Sequence, residues 1–157
     1  MKQTSDLFGL AFFLFTCFLL GSVGGLITAT SVDTWYPNLA KPFLTPPDWV
    51  FAPVWRILYL LIGLSGWIIW RQRAPECKKA LLIFLIQLGF NVVWPFIFFG
   101  ARLIGTALIE ISVLLIVIII NIVAFCRIKP LSGLLLFSYT LWVVYATVLN
   151  ASIWILN

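Results

Sequence analysis

The sequence predicts an all-α integral membrane protein, a bundle of five transmembrane helices forming a single domain, and three observations carry that prediction. Of its 157 residues, 63% are hydrophobic and 10% charged, against roughly 45–50% and about 25% in an ordinary soluble domain. Five uncharged or singly charged stretches each reach the roughly 20 residues needed to cross a hydrocarbon core. None of them alternates over about ten residues as a barrel strand does, so each reads as a helix that satisfies its own backbone.

In order, the spans are expected at about 7–29, 49–70, 80–100, 103–125 and 133–156. The first is too long for the core of a signal peptide and lacks a basic cluster before it, so it reads as a retained helix. The second contains only Arg56 and the fourth only Glu110. Counted from the same side, these charges lie at equal depth, roughly 10 Å in, which allows either a salt bridge or separate snorkelling. Gly21 and Gly25 on the first helix have the four-residue spacing of close helix packing. Trp35, Trp49, Trp67, Trp70 and Trp154 fall near span ends, where an aromatic belt is expected.

Three connections are short and predict antiparallel neighbours. The fourth, residues 30–48, is long and holds Trp35, Tyr36 and four prolines. That composition suits an ordered lid better than a solvated linker. On the side of the N-terminus lie Lys2, Arg71, Arg73, Lys78, Lys79, Arg127 and Lys129, against Lys41 and Arg102 on the other. Seven against two predicts a cytoplasmic N-terminus and an external long loop in a bacterial cell membrane.

Composition excludes several functions. The absence of histidine removes His-based acid–base catalysis and His-ligated metal or haem. Cys17, Cys77 and Cys126 have no metal or disulfide spacing, so no metal site is expected. The basic residues form no stripe that could follow phosphates, so no nucleic-acid partner is expected.

The polar and aromatic residues inside the spans fall at matching depth. Trp55 and Tyr59 share a face of the second helix; Gln87, Asn91 and Trp94 share one of the third; Tyr139, Trp142, Ala146 and Asn150 share one of the fifth. Such a set describes either a pocket for a flat, largely apolar molecule beneath the long loop or the packing residues of a ligandless bundle.

Trp35-Tyr36-Pro37-x-Leu39-x-Lys41-Pro42, Pro46-Pro47, Val50-Phe51-x-Pro53-Val54-Trp55-x-x-Leu58-Tyr59, Gln87-Leu88-x-x-Asn91-x-x-Trp94, Phe98-Phe99-Gly100-Ala101-Arg102, Trp142 to Asn150 and Leu156-Asn157 together resemble the TspO family of tryptophan-rich sensory proteins and translocator proteins, also called peripheral benzodiazepine receptors, over nearly the whole chain. The resemblance implies a membrane receptor or sensor, usually dimeric, that binds porphyrins such as protoporphyrin IX and related apolar ligands, with no further cofactor. It places Trp35, Tyr36, Pro42, Trp55, Tyr59, Asn91, Trp94, Trp142, Ala146 and Leu149 at the pocket, with Trp55 and Trp142 as the tryptophans of a light-dependent porphyrin breakdown; coming from the second and fifth helices, these two are expected on opposite walls. Enzymatic degradation is thus one alternative and transport of tetrapyrroles or lipids another; transport finds no broken-helix repeats here. Two departures stand out. Ala151 and Ile155 replace the Tyr and Arg of a proposed sterol motif, and Ser138 replaces a proline that often precedes Tyr139.

Overall fold

In a computed structural model of the chain, residues 2–157 are described, with side chains from Thr4 onward. The Lys2 charge counted above therefore lies outside the described side chains. Five helices form among these residues: α1 Lys2–Val32, α2 Phe51–Gln72, α3 Glu76–Pro95, α4 Ile104–Ile128 and α5 Pro130–Leu156. All five are long and apolar enough to cross a membrane.

Helix α1 starts earlier and ends later than the apolar run of 7–29. Its polar ends still need their backbone groups paired, and near the loop the hydroxyls of Thr28 and Thr30 donate back to the carbonyls of Gly24 and Ile27. The connection to α2 is correspondingly shorter than 30–48 at its start. It carries two 3-10 turns, Tyr36–Asn38 and Asp48–Val50. Elsewhere the stops follow local chemistry. Arg73, at φ 54°, ends α2 in the left-handed region, Pro75 precedes α3, and Pro130 opens α5. Pro95 has no N–H to continue the α pattern. The chain widens there into a π turn, Phe96–Gly100, closed by the Ala101 N–H donating to the Phe96 carbonyl at 2.7 Å.

The helices close a ring in the order α1, α2, α5, α4, α3, with α4 and α5 sharing the largest face. The short connections put α3 beside α4 and α4 beside α5, as expected. Helices α2 and α3 touch only over a limited stretch, because α1 and α5 take the flanks of α2. Gly21 seats the ring of Tyr59, against which an added Cβ would collide, whereas Gly25 has nothing within 4 Å of that position. The spaced glycines therefore serve different ends: one packs helices, the other leaves space. Trp49 and Trp154 are exposed near the span ends.

The structure decides against the salt bridge: Arg56 and Glu110 do not pair. The ion pair found among the described residues joins Arg71 to Asp6 at 3.2 Å. Glu110 is buried, with both carboxylate oxygens lacking a hydrogen-bond partner, and Arg56 is exposed. Equal depth by residue count does not bring them together, because α2 meets α4 over only a few residues.

Candidate ligand cavity

A cavity of about 460 Å³ occupies the loop end of the bundle. Four helices and the loop wall it, and α4 contributes nothing. From α2, Phe51, Trp55 and Tyr59 follow one another at four-residue steps and so line one face. Trp94 enters from α3, Phe98 and Phe99 from the π turn, and Ala146, Leu149, Asn150 and Ile153 from α5. Helix α1 supplies a flat strip of Gly21, Ser22, Gly25 and Ala29 with Phe18 and Thr28 beside it.

The ring-bearing wall is rigidly interlocked. Trp94 and Phe98 stack at 5.0 Å, and Phe98 meets Phe99 edge-on at 4.8 Å. The π turn is what lets two consecutive phenylalanines both turn inward, and the Ser31 hydroxyl ties it to α1 by donating to the Phe99 carbonyl at 2.8 Å. Trp55 stacks on Tyr59 at 5.5 Å. Beneath them the Tyr59 hydroxyl donates to Asn91 Oδ1, and Asn91 Nδ2 donates to the Tyr139 hydroxyl at 2.7 Å. One residue each from α2, α3 and α5 thereby joins in a polar bridge, of which Tyr59 alone among the described residues also lines the cavity. Trp94 Nε1 donates to Asn150 Oδ1 at 3.2 Å, and Asn150 Nδ2 donates to the Ile104 carbonyl at 3.0 Å. These bonds satisfy the wall internally, leaving mainly ring faces toward the space.

The loop closes the cavity through Tyr36, which packs against Phe98 and Phe99 while Lys41 Nζ lies 4.0 Å from its ring centre. Burial, followed by the charge of Asp48 and the neighbouring Tyr145, pushes the Tyr36 phenol up to about 12. It stays a neutral hydrogen-bond donor at physiological pH. The loop is fastened to α5 in two places. Tyr145 donates to the Leu44 carbonyl at 2.6 Å. Asn157 accepts from the Ala40 N–H and donates to the Ala40 carbonyl, both at 3.0 Å.

A family model described as TspO/MBR matches residues 13–155. Among similar proteins, the tryptophan-rich protein TspO of Archaeoglobus fulgidus is 38% identical over 88% of this chain and 90% of its own. The human translocator protein is 36% identical over 76% of this chain and 73% of its own. The tryptophan-rich sensory protein of Cereibacter sphaeroides is 33% identical, covering 88% and 84%. The chain belongs to the TspO/MBR family.

Of the ten positions that the resemblance to TspO proteins assigns to a pocket, Tyr36, Trp55, Tyr59, Trp94, Ala146 and Leu149 line the cavity. Asn91 lies behind it, facing a void of about 20 Å³. Three stand outside the lining. Trp35 supports the wall by meeting Phe98 at 5.8 Å. Pro42 shapes the loop, its carbonyl accepting from the Thr45 N–H at 3.0 Å and the Thr45 hydroxyl at 2.8 Å. Trp142 does not face Trp55 across the space; it sits behind that ring, edge-on at 6.5 Å. The reason is the ring order, which makes α2 and α5 neighbours rather than opposites.

Sequence reasoning missed the α1 strip, because small residues read there as helix packing, and it missed Phe51, Arg56, Phe98, Phe99 and Ile153. For Phe98 and Phe99 a signal did exist. Pro95 near the end of a span warns that the helical phase changes after it.

Proposed function

We propose that this TspO/MBR protein is a membrane receptor or sensor that holds a porphyrin such as protoporphyrin IX, or a related flat apolar ligand, in the loop-end cavity. The observation that carries the reading is a 460 Å³ space faced by the rings of Tyr36, Phe51, Trp55, Tyr59, Trp94 and Phe98. Its size lies within the usual range for small-molecule sites, and stacking faces with few free polar groups suit a planar ligand. The reading includes a homodimer in a bacterial cell membrane, with the N-terminus cytoplasmic and the loop outside. Membrane lipids are its surroundings. Titrating purified protein with protoporphyrin IX in the dark, by porphyrin absorbance and tryptophan fluorescence, tests it: saturable quenching is expected, and none at all would leave a structural bundle.

A second reading, light-dependent degradation of the bound porphyrin, is favoured by the contact of Trp55 with Trp142. An indole at the cavity can give an electron to the excited ligand, which passes it to dioxygen as superoxide; the indole radical, shared with the second indole behind it, then takes an electron back from the ligand, so that the net change is ligand oxidised and dioxygen reduced. Changing Trp55 to Phe keeps a stacking face, so dark affinity should fall by about 1 kcal/mol, while conversion under light in the presence of dioxygen should fall far more. Equal conversion by wild type and variant would remove this chemistry and leave the receptor.

A further inference from the structure

Among the described residues Arg56 is the one cation lining the cavity, and it stands inside a helix long and apolar enough to cross a membrane. A guanidinium stays charged and presents a planar fork of donors, and such a charge in a span calls for a partner. Among the described residues no carboxylate oxygen lies within 4.0 Å of it. Among the described residues the only acid in the lining, Asp48, is exposed at the loop-end rim, eight residues before Arg56.

The surroundings of Arg56 are those of a mouth. Because Gly21 seats Tyr59, the antiparallel register of α1 and α2 sets Gly25 level with Trp55 and Arg56. There α1 has no side chain to fill the seam: Gly25 meets nothing within 4 Å, and Ser22, Gly25 and Ala29 are exposed. The space walled by Trp55 and Tyr59 therefore opens sideways between α1 and α2, with Arg56 at the opening.

We propose that Arg56 is an anion anchor at this opening, taking a carboxylate of an amphipathic ring acid whose apolar body lies among the aromatic walls. The proposal rests on the reading that the cavity holds a flat apolar ligand, and it adds the ligand's chemical class and orientation. The acid group points to the α1–α2 seam and the ring system inward. A carboxylate there gains charge-assisted hydrogen bonds at a partly dehydrated site, whereas an ester of the same skeleton gains none.

The test compares wild type, Arg56→Gln and Arg56→Lys in phosphatidylcholine nanodiscs. Two probe pairs are titrated in the dark: protoporphyrin IX with its dimethyl ester, and pyrenebutyric acid with its methyl ester. Wild type is expected to prefer each acid by about tenfold, the size of one charge-assisted pair. In Arg56→Gln the ratio should fall to about one, and Arg56→Lys should keep part of it. A ratio of about one in wild type, or an unchanged ratio in Arg56→Gln, overturns the anchor. Porphyrin acid and ester binding equally well overturns the anchor while leaving the porphyrin reading. Acid selectivity in the pyrene pair, lost in Arg56→Gln, without porphyrin binding does the reverse. Binding of none of the probes overturns both. If phosphatidylglycerol copurifies with wild type but not Arg56→Gln, and the acid-to-ester ratio is about one, the guanidinium serves lipid phosphate and the anchor is overturned.

Discussion

At the N-terminal end of the bundle, Phe84 lies flat on Phe125 at 5.8 Å with Phe13 against it at 6.0 Å, and Gly66 fits between Phe13 and Phe84. At the loop end Trp94 lies just as flat on Phe98, yet that cluster borders about 460 Å³ of space. The same helices build both ends, so the contrast lies in what joins them. The N-terminal end uses small residues and reciprocal bonds: Ser65 and Ser132 each donate to the other's carbonyl at 2.8 Å, and Asn121 Nδ2 donates to the Ala80 carbonyl at 3.2 Å. In lipid, where burial alone does not draw helices together, such close approach and bonding is the available glue. At the loop end the helices stand apart and the loop binds them instead, through Tyr36, the Tyr145 hydroxyl and the Asn157 amide. Close packing and open space are thus assigned to opposite ends, with the Tyr59, Asn91 and Tyr139 bridge as the border.

The largest expected effect comes from breaking the packed end. Phe84 is 1% exposed, and Phe84→Ala should destabilise by about 3–4 kcal/mol in detergent unfolding monitored by circular dichroism, with little change in dark porphyrin affinity of the folded fraction. A loss of affinity as large as the loss of stability would erase the proposed division between the ends.

Attacking the border should give an intermediate result. Asn91→Ala leaves two buried tyrosine hydroxyls without their partner, and a loss of about 1–2 kcal/mol is expected. Because Tyr59 faces the cavity while Tyr139 is fully buried, ligand affinity should fall together with stability in this variant. An effect on stability alone would move the border toward the cavity.

The smallest effect belongs to the loop's fastening. Asn157→Ala removes both bonds to Ala40, and a change of about 1 kcal/mol or less is expected at this exposed site. Local opening should be more visible than global stability. Amide exchange should quicken at residues 39–45 and stay unchanged at 73–75, and equal exchange in both segments would show that the loop is held by its aromatic packing alone.

Depth was legible in the sequence and direction was not. Counting from span ends correctly levelled Trp55, Asn91, Trp94 and Ala146, and six of the ten expected residues meet at one cavity. Equal depth by the same counting allowed Arg56 to pair with Glu110, and Trp142 was expected across from Trp55; neither holds, because the circular order of helices is invisible in residue spacing. That order depends on which faces fit, as where Gly21 receives Tyr59. The π turn after Pro95 is a second cause. It resets the helical phase, so Phe98 and Phe99 fall outside any stripe drawn through Gln87, Asn91 and Trp94. Small residues carry the third ambiguity. Glycine permits contact at Gly21 and vacancy at Gly25, and a sequence does not distinguish a filled groove from an open one.

The fastening of the loop to α5 also sets a timetable for synthesis. Leu44 and Ala40 leave the ribosome 101 and 117 residues before Tyr145 and Asn157, the side chains that hold them. At ordinary elongation rates that gap lasts on the order of ten seconds. During it Trp35, Tyr36 and the prolines after them sit at the membrane surface beside a bundle still lacking its fifth helix. The nascent chain therefore passes through a stage in which the N-terminal end can begin to pack while the cavity has neither its α5 wall nor a tethered cover. Insertion of α5 is the event that completes the cavity, and any molecule arriving earlier would meet aromatic surface without an enclosure.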